Sequence, residues 1–310
     1  AVGFIGFSLC ETLIKKKHKV FGIDNFDTYY SIEIKKKRLK ILNKNKNFYF
    51  KRIDITQRSG LFNFFKKKKI DIIIHLAAQA GVRYSLINPK KYVDVNILGF
   101  LNIIELAKEK KIKKFIYASS SSVYGENKKF PLSENQSLNP KNIYGLSKQM
   151  NEQIASMYSK FFDLKCIGLR FFTIYGEWGR PDMFLFKLFK ASQQSKKFYL
   201  NNYGNHKRDF TYVKDAVKIV LKLINYKIVD NEIFNICSNK PIKILDIIKY
   251  FKKKNNVEVK LTEMHRADVK DTHGDNKKIK KALKRIKFSK FYRCFETTYG
   301  WYKKNNISKI

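Results

Sequence analysis

The chain has 310 residues, 44% of them hydrophobic and 29% charged, the balance of a globular protein with room for one large domain or two lobes sharing a core. No apolar run reaches the ~18 residues of a membrane-spanning helix, so no membrane partner is expected. The net charge of +39 invites a nucleic-acid role, but the lysines fall in short scattered runs (Lys15–Lys17, Lys35–Lys37, Lys66–Lys69, Lys252–Lys254) and read as solvated faces instead.

In chain order, Ala1-Val-Gly-Phe-Ile-Gly6 opens the sequence and precedes a helix expected over 7–17. Gly3 and Gly6 fit the last two glycines of a Gly-x-x-Gly-x-x-Gly turn. The first glycine and the strand before it are expected to be missing, and the chain as given is expected to bind a dinucleotide weakly. Val20–Ile23 reads as a strand ending in Asp24, followed by a helix over 30–43. Phe48–Phe50 is the next strand, with Asp54 and Ile55 after it. Ile70–His75 follows, ending in Leu76, Ala77 and Ala78, small residues against which a cofactor can lie. His75 itself reads as a packed strand histidine. A helix over 89–110, a strand at Phe115–Tyr117, a helix over 142–162 and a strand at Cys166–Arg170 complete the alternation. Strand and helix in this rhythm predict an α/β fold with a doubly wound parallel sheet of the Rossmann type. After Phe171 the pattern loosens. Residues 171–208 read as irregular, 209–225 as loop then helix, 232–237 as a strand, and the chain from about 240 as helical and polar. The expected division is a dinucleotide-binding domain over 1–170, whose sheet recruits parts of 209–237, and a smaller substrate lobe over 171–310, with the cleft between them holding substrate.

Four cysteines (Cys10, Cys166, Cys237, Cys294) are scattered and form no Cys-x-x-Cys pair, which suits buried thiols in a reducing cytoplasm. The five histidines show no metal-ligand spacing, and no metal site is expected.

The chemistry concentrates in two places. Ala118 is followed by four serines, Ser119 to Ser122, and then by Val123, Tyr124 and Gly125; Tyr144 and Lys148 follow at Tyr-x-x-x-Lys spacing. That spacing sets phenol and ammonium one helical turn apart on one face. An ammonium beside a phenol favours the phenolate, so Tyr144 is expected to accept a proton, with a serine hydroxyl beside it. This is equipment for oxidising a sugar alcohol with a nicotinamide. Asp24, about 20 residues past the glycines, suits the adenosine ribose hydroxyls and disfavours a 2′-phosphate, which points to NAD.

With these residues assembled, the chain resembles the extended short-chain dehydrogenase/reductase superfamily, and within it the UDP-glucuronate 4-epimerase family. The likeness runs through Gly3–Gly6, Gly22–Asn25, His75–Ser85, Tyr117–Gly125, Tyr144 with Lys148, Leu169–Gly176, Trp178–Met183 and Arg208–Tyr212. It implies that Tyr144 takes the proton of the sugar 4-hydroxyl, that Ser120 hydrogen-bonds the same oxygen, and that Lys148 lowers the tyrosine pKa and binds the nicotinamide ribose. Hydride passes from C4 to NAD and returns to the other face of a 4-keto sugar. The resemblance further implies that Gly3, Phe4, Ile5, Gly6, Asp24, Asn25, Asp54, Ile55, Leu76, Ala77, Ala78, Asn96 and Phe171 surround NAD. Ser121, Ser122, Thr173 and Arg180 match positions around the sugar C6, Arg83 and Arg208 the diphosphate or sugar, and Asp268 the uridine ribose. Relatives that dehydrate or decarboxylate the keto sugar carry carboxylates where this chain has Ser121 and Ser122, which favours simple epimerisation of a UDP-uronate. A neutral UDP-hexose or UDP-N-acetylhexosamine is the alternative substrate. A homodimer through helices 89–110 and 142–162 is also implied.

Overall fold

The computed structural model describes residues 1–309. Its apolar, β-branched segments form strands β1 (Val20–Asp24), β2 (Phe48–Arg52), β3 (Ile72–His75), β4 (Lys114–Ser120) and β5 (Lys165–Phe171). Further strands follow at β6 (Thr173–Tyr175), β7 (Phe198–Leu200), β8 (Lys207–Tyr212), β9 (Glu232–Ile236), β10 (Pro241–Lys243) and β11 (Val259–Leu261). β3, β4, β5 and β9 make one parallel sheet in the order β3-β4-β5-β9. Its register puts His75 beside Tyr117, Ser120 beside Phe171, and Phe171 beside Ile236. The carboxyl ends of these strands therefore share one edge, where doubly wound sheets bind ligands. β1 and β2 pair in parallel as a separate ribbon, with Asp24 opposite Arg52. A cavity of about 940 Å³ lies between Val20, Phe21 and Ile23 of β1 and Ile72–Ile74 of β3.

Helices cover both faces, as a parallel sheet requires. They are α1 (Phe4–Lys15), α2 (Ile32–Leu42), α3 (Arg58–Phe65), α4 (Tyr84–Ile87), α5 (Pro89–Tyr92), α6 (Gly99–Glu109), α7 (Ile143–Phe162), α8 (Phe184–Gln193), α9 (Val213–Ile224), α10 (Ile244–Lys252), α11 (Lys277–Leu283) and α12 (Phe291–Lys304). On one face Leu61, Phe100, Ile104 and Ala155 pack on Phe115 and Cys166. On the other, Leu9 and Val217 join Ile116 and Ile167 in a core that continues into the later elements. The later strands build a mixed sheet, β10-β8-β6, and a parallel pair, β11-β7.

The doubly wound α/β class expected from the sequence is present, with several local differences. Residues 171–208 are not irregular: they hold β6, α8, β7 and the start of β8. The segment 209–212 is the end of a strand, not a loop. The expected helix over 89–110 is interrupted by a π-helical stretch, Val93–Leu98, that turns Asn96 inward. The part beyond 240 is not merely polar. α10 buries Ile244, Ile247, Ile248 and Phe251, and α12 buries Phe295, Tyr299 and Tyr302 in the same core. Among the described residues, no helix is long and apolar enough to cross a membrane.

Candidate active site

A cavity of about 540 Å³ opens along the carboxyl edge of the sheet and reaches the later elements. One end is built by the start of α1. Gly3 is its N-cap, extended at φ −66° and ψ 170°, and no side chain caps the first turn. A Cβ on Gly3 would meet nothing within 4 Å, so the start of the helix borders open space in the cavity that Gly3 to Gly6 line. Free amides and the positive end of a helix dipole form an anion site that suits a pyrophosphate. Gly6 serves differently: a Cβ there would lie 3.0 Å from the Ala1 carbonyl, so the helix packs on the turn only without one.

Gly3, Phe4, Ile5 and Gly6 line this cavity, as do Asp24, Asn25 and Ile55, and then Leu76, Ala77, Ala78 and Phe171. Asp24 accepts from the amides of Val2 (3.2 Å) and Phe26 (3.0 Å). Burial works to raise its carboxyl, while the Lys35 charge and the hydrogen bond from the Phe26 amide work to lower it. An anionic Asp24 fits ribose hydroxyls as acceptor. Two expected cofactor residues lie outside the lining. Asp54 accepts from the Asn25 amide at 2.9 Å and so orients it from behind. Asn96 is buried and spent on Gln79, accepting from its N–H (2.8 Å) and donating to its carbonyl (3.1 Å), and on the Ser147 hydroxyl (3.0 Å). It braces the loop after β3 and does not face the cavity.

The serine strand end and the start of α7 meet in the middle of the cavity. Ser120 ends β4, and its hydroxyl accepts from the Ser122 amide at 3.1 Å, starting a single 3₁₀ turn over Ser121–Tyr124. Asn142 caps α7 by accepting from the Gly145 amide at 2.9 Å. A Cβ on Gly145 would sit 2.5 Å from the Ser122 carbonyl, so only glycine lets α7 press against the serine turn. That contact brings Tyr144 to Ser120, and both line the cavity with Ser121, Ser122 and Lys148.

The electrostatics differ from the sequence-based expectation at one point. Lys148 is buried, and its Nζ donates to the Ala118 carbonyl at 2.9 Å. Burial pushes its ammonium down to about 8, with Glu152 one turn on pulling it back up. The Tyr144 phenol is raised by burial, and the groups that lower it are the Ser120 hydroxyl and the Arg180 charge rather than Lys148. Lys148 is thus anchored to the strand, and the acidifying influences come from the serine and arginine sides. His75 is buried between Phe100 and Phe115, and burial pushes it down to about 3. It is a neutral packing residue at physiological pH.

Thr173, Arg180, Arg208 and Asp268 line the far end. The Arg180 fork already holds a carboxylate, with Nε on Asp182 Oδ1 at 2.9 Å and Nη2 on Oδ2 at 2.5 Å. Arg208 donates to the carbonyls of Val269 (2.9 Å) and Lys270 (2.6 Å), so it pins the segment beside Asp268. Arg83 does not line the cavity; its guanidinium is paired with Asp268 at 2.6 Å across the cleft. Residues that the sequence reading missed include Tyr29, which faces the cavity and donates to Asp182 at 3.3 Å, and Glu152 and Arg170, which lie behind it. Glu152 had a legible signal in its i,i+4 spacing from Lys148. Among the described residues, no group of three metal-binding side chains occurs.

The sequence profile of the NAD dependent epimerase/dehydratase family matches residues 1–237. A UDP-glucuronate 4-epimerase of Thermodesulfobacterium geofontis is 37% identical over 310 residues, covering 98% of this chain and 94% of that one. The crystal structure of UDP-glucuronic acid 4-epimerase from Bacillus cereus, in complex with UDP-glucuronic acid and NAD, superimposes with a TM-score of 0.91 at 32% identity, covering 98% of this chain and 97% of that one. A UDP-N-acetylglucosamine 4-epimerase from Methanobrevibacter ruminantium, in complex with UDP-N-acetylmuramic acid, is 25% identical with a TM-score of 0.87, covering 98% and 96%. The resemblance to the UDP-glucuronate 4-epimerases noted in the sequence thus extends to the fold, and NAD is the cofactor. The profile match runs from the glycine turn to the end of β9, and the chain belongs to the NAD dependent epimerase/dehydratase family.

Proposed function

We propose that this NAD-dependent sugar-nucleotide 4-epimerase acts on a UDP-uronate, interconverting UDP-glucuronate and UDP-galacturonate through a 4-keto intermediate. One observation carries the reading: the cavity that holds Ser120 and Tyr144 is also lined by Ser121, Ser122, Thr173 and Arg180, donors suited to a carboxylate, and its serine turn contains no carboxylate. Without one, nothing in the turn can protonate a leaving hydroxyl on C6 or deprotonate C5 at neutral pH. Cofactor binding is assigned to residues 1–170 with parts of 209–237, and substrate binding mainly to 171–310.

Gly3 to Gly6 hold the pyrophosphate, and Asp24 with Asn25 hold the adenosine ribose. When bound, NAD supplies reversible hydride acceptance at the sugar C4. Tyr144 takes the proton of the 4-hydroxyl as that carbon is oxidised and returns it on reduction. Ser120 hydrogen-bonds the same oxygen and keeps it aimed at the phenol. Lys148 holds the end of β4 and reaches the nicotinamide ribose. Thr173, Ser121, Ser122 and Arg180 fix the carboxylate. The intermediate is a β-keto acid, and holding its carboxylate by hydrogen bonds keeps the C5–C6 bond out of the orientation needed to lose carbon dioxide.

A second reading, a neutral UDP-hexose or UDP-N-acetylhexosamine, is favoured by the Arg180–Asp182 pair, in which the fork is already neutralised. Turnover of UDP-glucuronate against UDP-glucose and UDP-N-acetylglucosamine, with products resolved by NMR, separates the two. The uronate is expected to lead in kcat/KM, and a lead by either neutral sugar overturns the proposal. Arg180→Ala is expected to lower kcat/KM for the uronate by about 10–100-fold, the worth of a charge-assisted bond, and to release UDP-pentose. Unchanged kinetics and products would remove Arg180 from the role.

The enzyme is assigned as a homodimer. Val93 (48% exposed) and Leu98 (45%) within 89–110, with Met157 (51%) and Phe161 (65%) on α7, leave apolar side chains in water on the helices expected to pair. Sedimentation is expected to give a dimer for the parent and a monomer for Phe161→Glu. A monomeric parent ends the assignment.

A further inference from the structure

Arg38 on α2 is fully buried, and its partners are unusual for a buried cation. Nη1 donates to the Val2 carbonyl at 2.9 Å and to the Tyr30 hydroxyl at 3.0 Å. Nη2 donates to the carbonyls of Trp178 at 2.6 Å and Gly179 at 3.3 Å. Nε has no partner. None of these acceptors is a carboxylate, so the charge is balanced by oriented dipoles at contact and by the Asp24 carboxylate only through space. A buried cation in that position is sensitive to each acceptor it has.

The acceptors belong to two functional segments far apart in sequence. Val2 immediately precedes Gly3, the N-cap of α1, which lines the cavity. Trp178 and Gly179 immediately precede Arg180, which lines the same cavity. Trp178 sits at φ +59°, a left-handed conformation that a tryptophan adopts only when its surroundings hold it there. Its ring packs edge-on against Phe7 of α1 at 5.2 Å, so the loop touches the cofactor helix by side chain as well as by carbonyl.

We propose that Arg38 is a positioning residue that couples the glycine turn to the Trp178–Arg180 loop, so that NAD and the sugar nucleotide each tighten the binding of the other. Its two Nη groups are both satisfied only when both sets of carbonyls are in place together. A ligand that orders one set keeps the cation where it orders the other, and such coupling is reciprocal. A residue that only stapled the fold would bear on stability without linking the two affinities. The inference rests on the functional reading above for the second ligand alone.

The test is a titration of the full chain with NAD, followed by tryptophan fluorescence, without and with saturating UDP-glucuronate. The Tyr144→Phe background slows turnover enough for the titration to be read at equilibrium. UDP-glucuronate is expected to tighten NAD by about 10-fold in the parent, within the usual range of coupling. Arg38→Met is expected to bring that ratio to about 1 and to weaken NAD even without sugar, whereas Arg38→Lys, which keeps the charge but not the fork, retains part of it. Should Arg38→Met not fold, Arg38→Lys carries the same readout against the parent. A ratio in the variants equal to the parent's overturns the inference whatever happens to their melting temperatures, and so does a parent that binds both ligands independently. If the parent binds UDP-N-acetylglucosamine but not UDP-glucuronate, the uronate reading fails and the same ratio measured with that sugar decides the role of Arg38. A parent that binds neither overturns both.

Discussion

Tyr144→Phe is expected to lower kcat by about 10²–10⁴-fold, the usual worth of one positioned acid–base group, while NAD and UDP-sugar still bind. The phenol sits at the start of α7, half-buried against Tyr92, and the Gly145–Ser122 contact fixes its approach to the Ser120 hydroxyl. Removing one oxygen leaves that packing intact, so the loss appears in the chemical step. The direction of the pH dependence follows from the same group. Its acceptor form is the phenolate, and burial holds its pKa above the ordinary value, against the pull of Ser120 and Arg180. At neutral pH most of the phenol is therefore protonated, and turnover climbs as pH rises. That climb is expected to vanish from the residual activity of Tyr144→Phe. Arg180→Ala removes one of the two acidifying influences and is expected to shift the climb to higher pH. A Tyr144→Phe enzyme that inverts C4 at the parental rate would remove the phenol from the mechanism.

What the sequence revealed and concealed follows from the range of the interactions. The parallel strands were legible because each is a short apolar run bounded by polar helices, and Asp24, Ser120 and Phe171 then fall at strand ends by counting alone. Tyr144 and Lys148 were legible because helical spacing is local. α8 was not. Phe184-Leu-Phe-Lys-Leu-Phe189 is nearly continuously apolar, and a short run of that kind carries no helical period to separate it from a buried strand. β6 and β7 are three residues each, too short for alternation to register. The inward turn of Asn96 was hidden for another reason. It depends on a π-helical stretch and on bonds to Gln79 and Ser147 that only the fold brings together. The anchoring of Lys148 on a strand carbonyl, and the engagement of Arg83 and Arg180 by Asp268 and Asp182, are likewise choices among partners that are distant or equivalent in the sequence.

The largest stability effect is expected behind the site, at a buried pair that no local pattern announced. Glu152, one turn beyond Lys148 on α7, accepts from Arg170 of β5 at 2.9 and 2.8 Å and from the Ser119 hydroxyl at 2.5 Å. Arg170 also donates to the Tyr124 hydroxyl at 2.9 Å, which in turn donates to Asn235 of β9 at 2.7 Å. Both charged residues are buried, at 4% and 7% exposure, so neither has water as an alternative partner. Arg170→Met is expected to destabilise the chain by about 3–5 kcal/mol, because Glu152 is left as an uncompensated anion in a dry site. The double variant Glu152→Gln/Arg170→Met removes both charges and is expected to lose less than the single one, the reverse of additivity. Urea unfolding reads both as a lowered midpoint at unchanged slope. The two variants separate stability from catalysis. Ser119 adjoins Ser120, and Lys148 grips Ala118, so α7 holds the two residues of β4 that precede Ser120 through Lys148 and Glu152 together. The double variant keeps the charge balance and loses part of that grip, and its turnover is expected to fall further than its stability. If the single variant is as stable as the parent, water reaches Glu152 and the strand end is held by Lys148 alone.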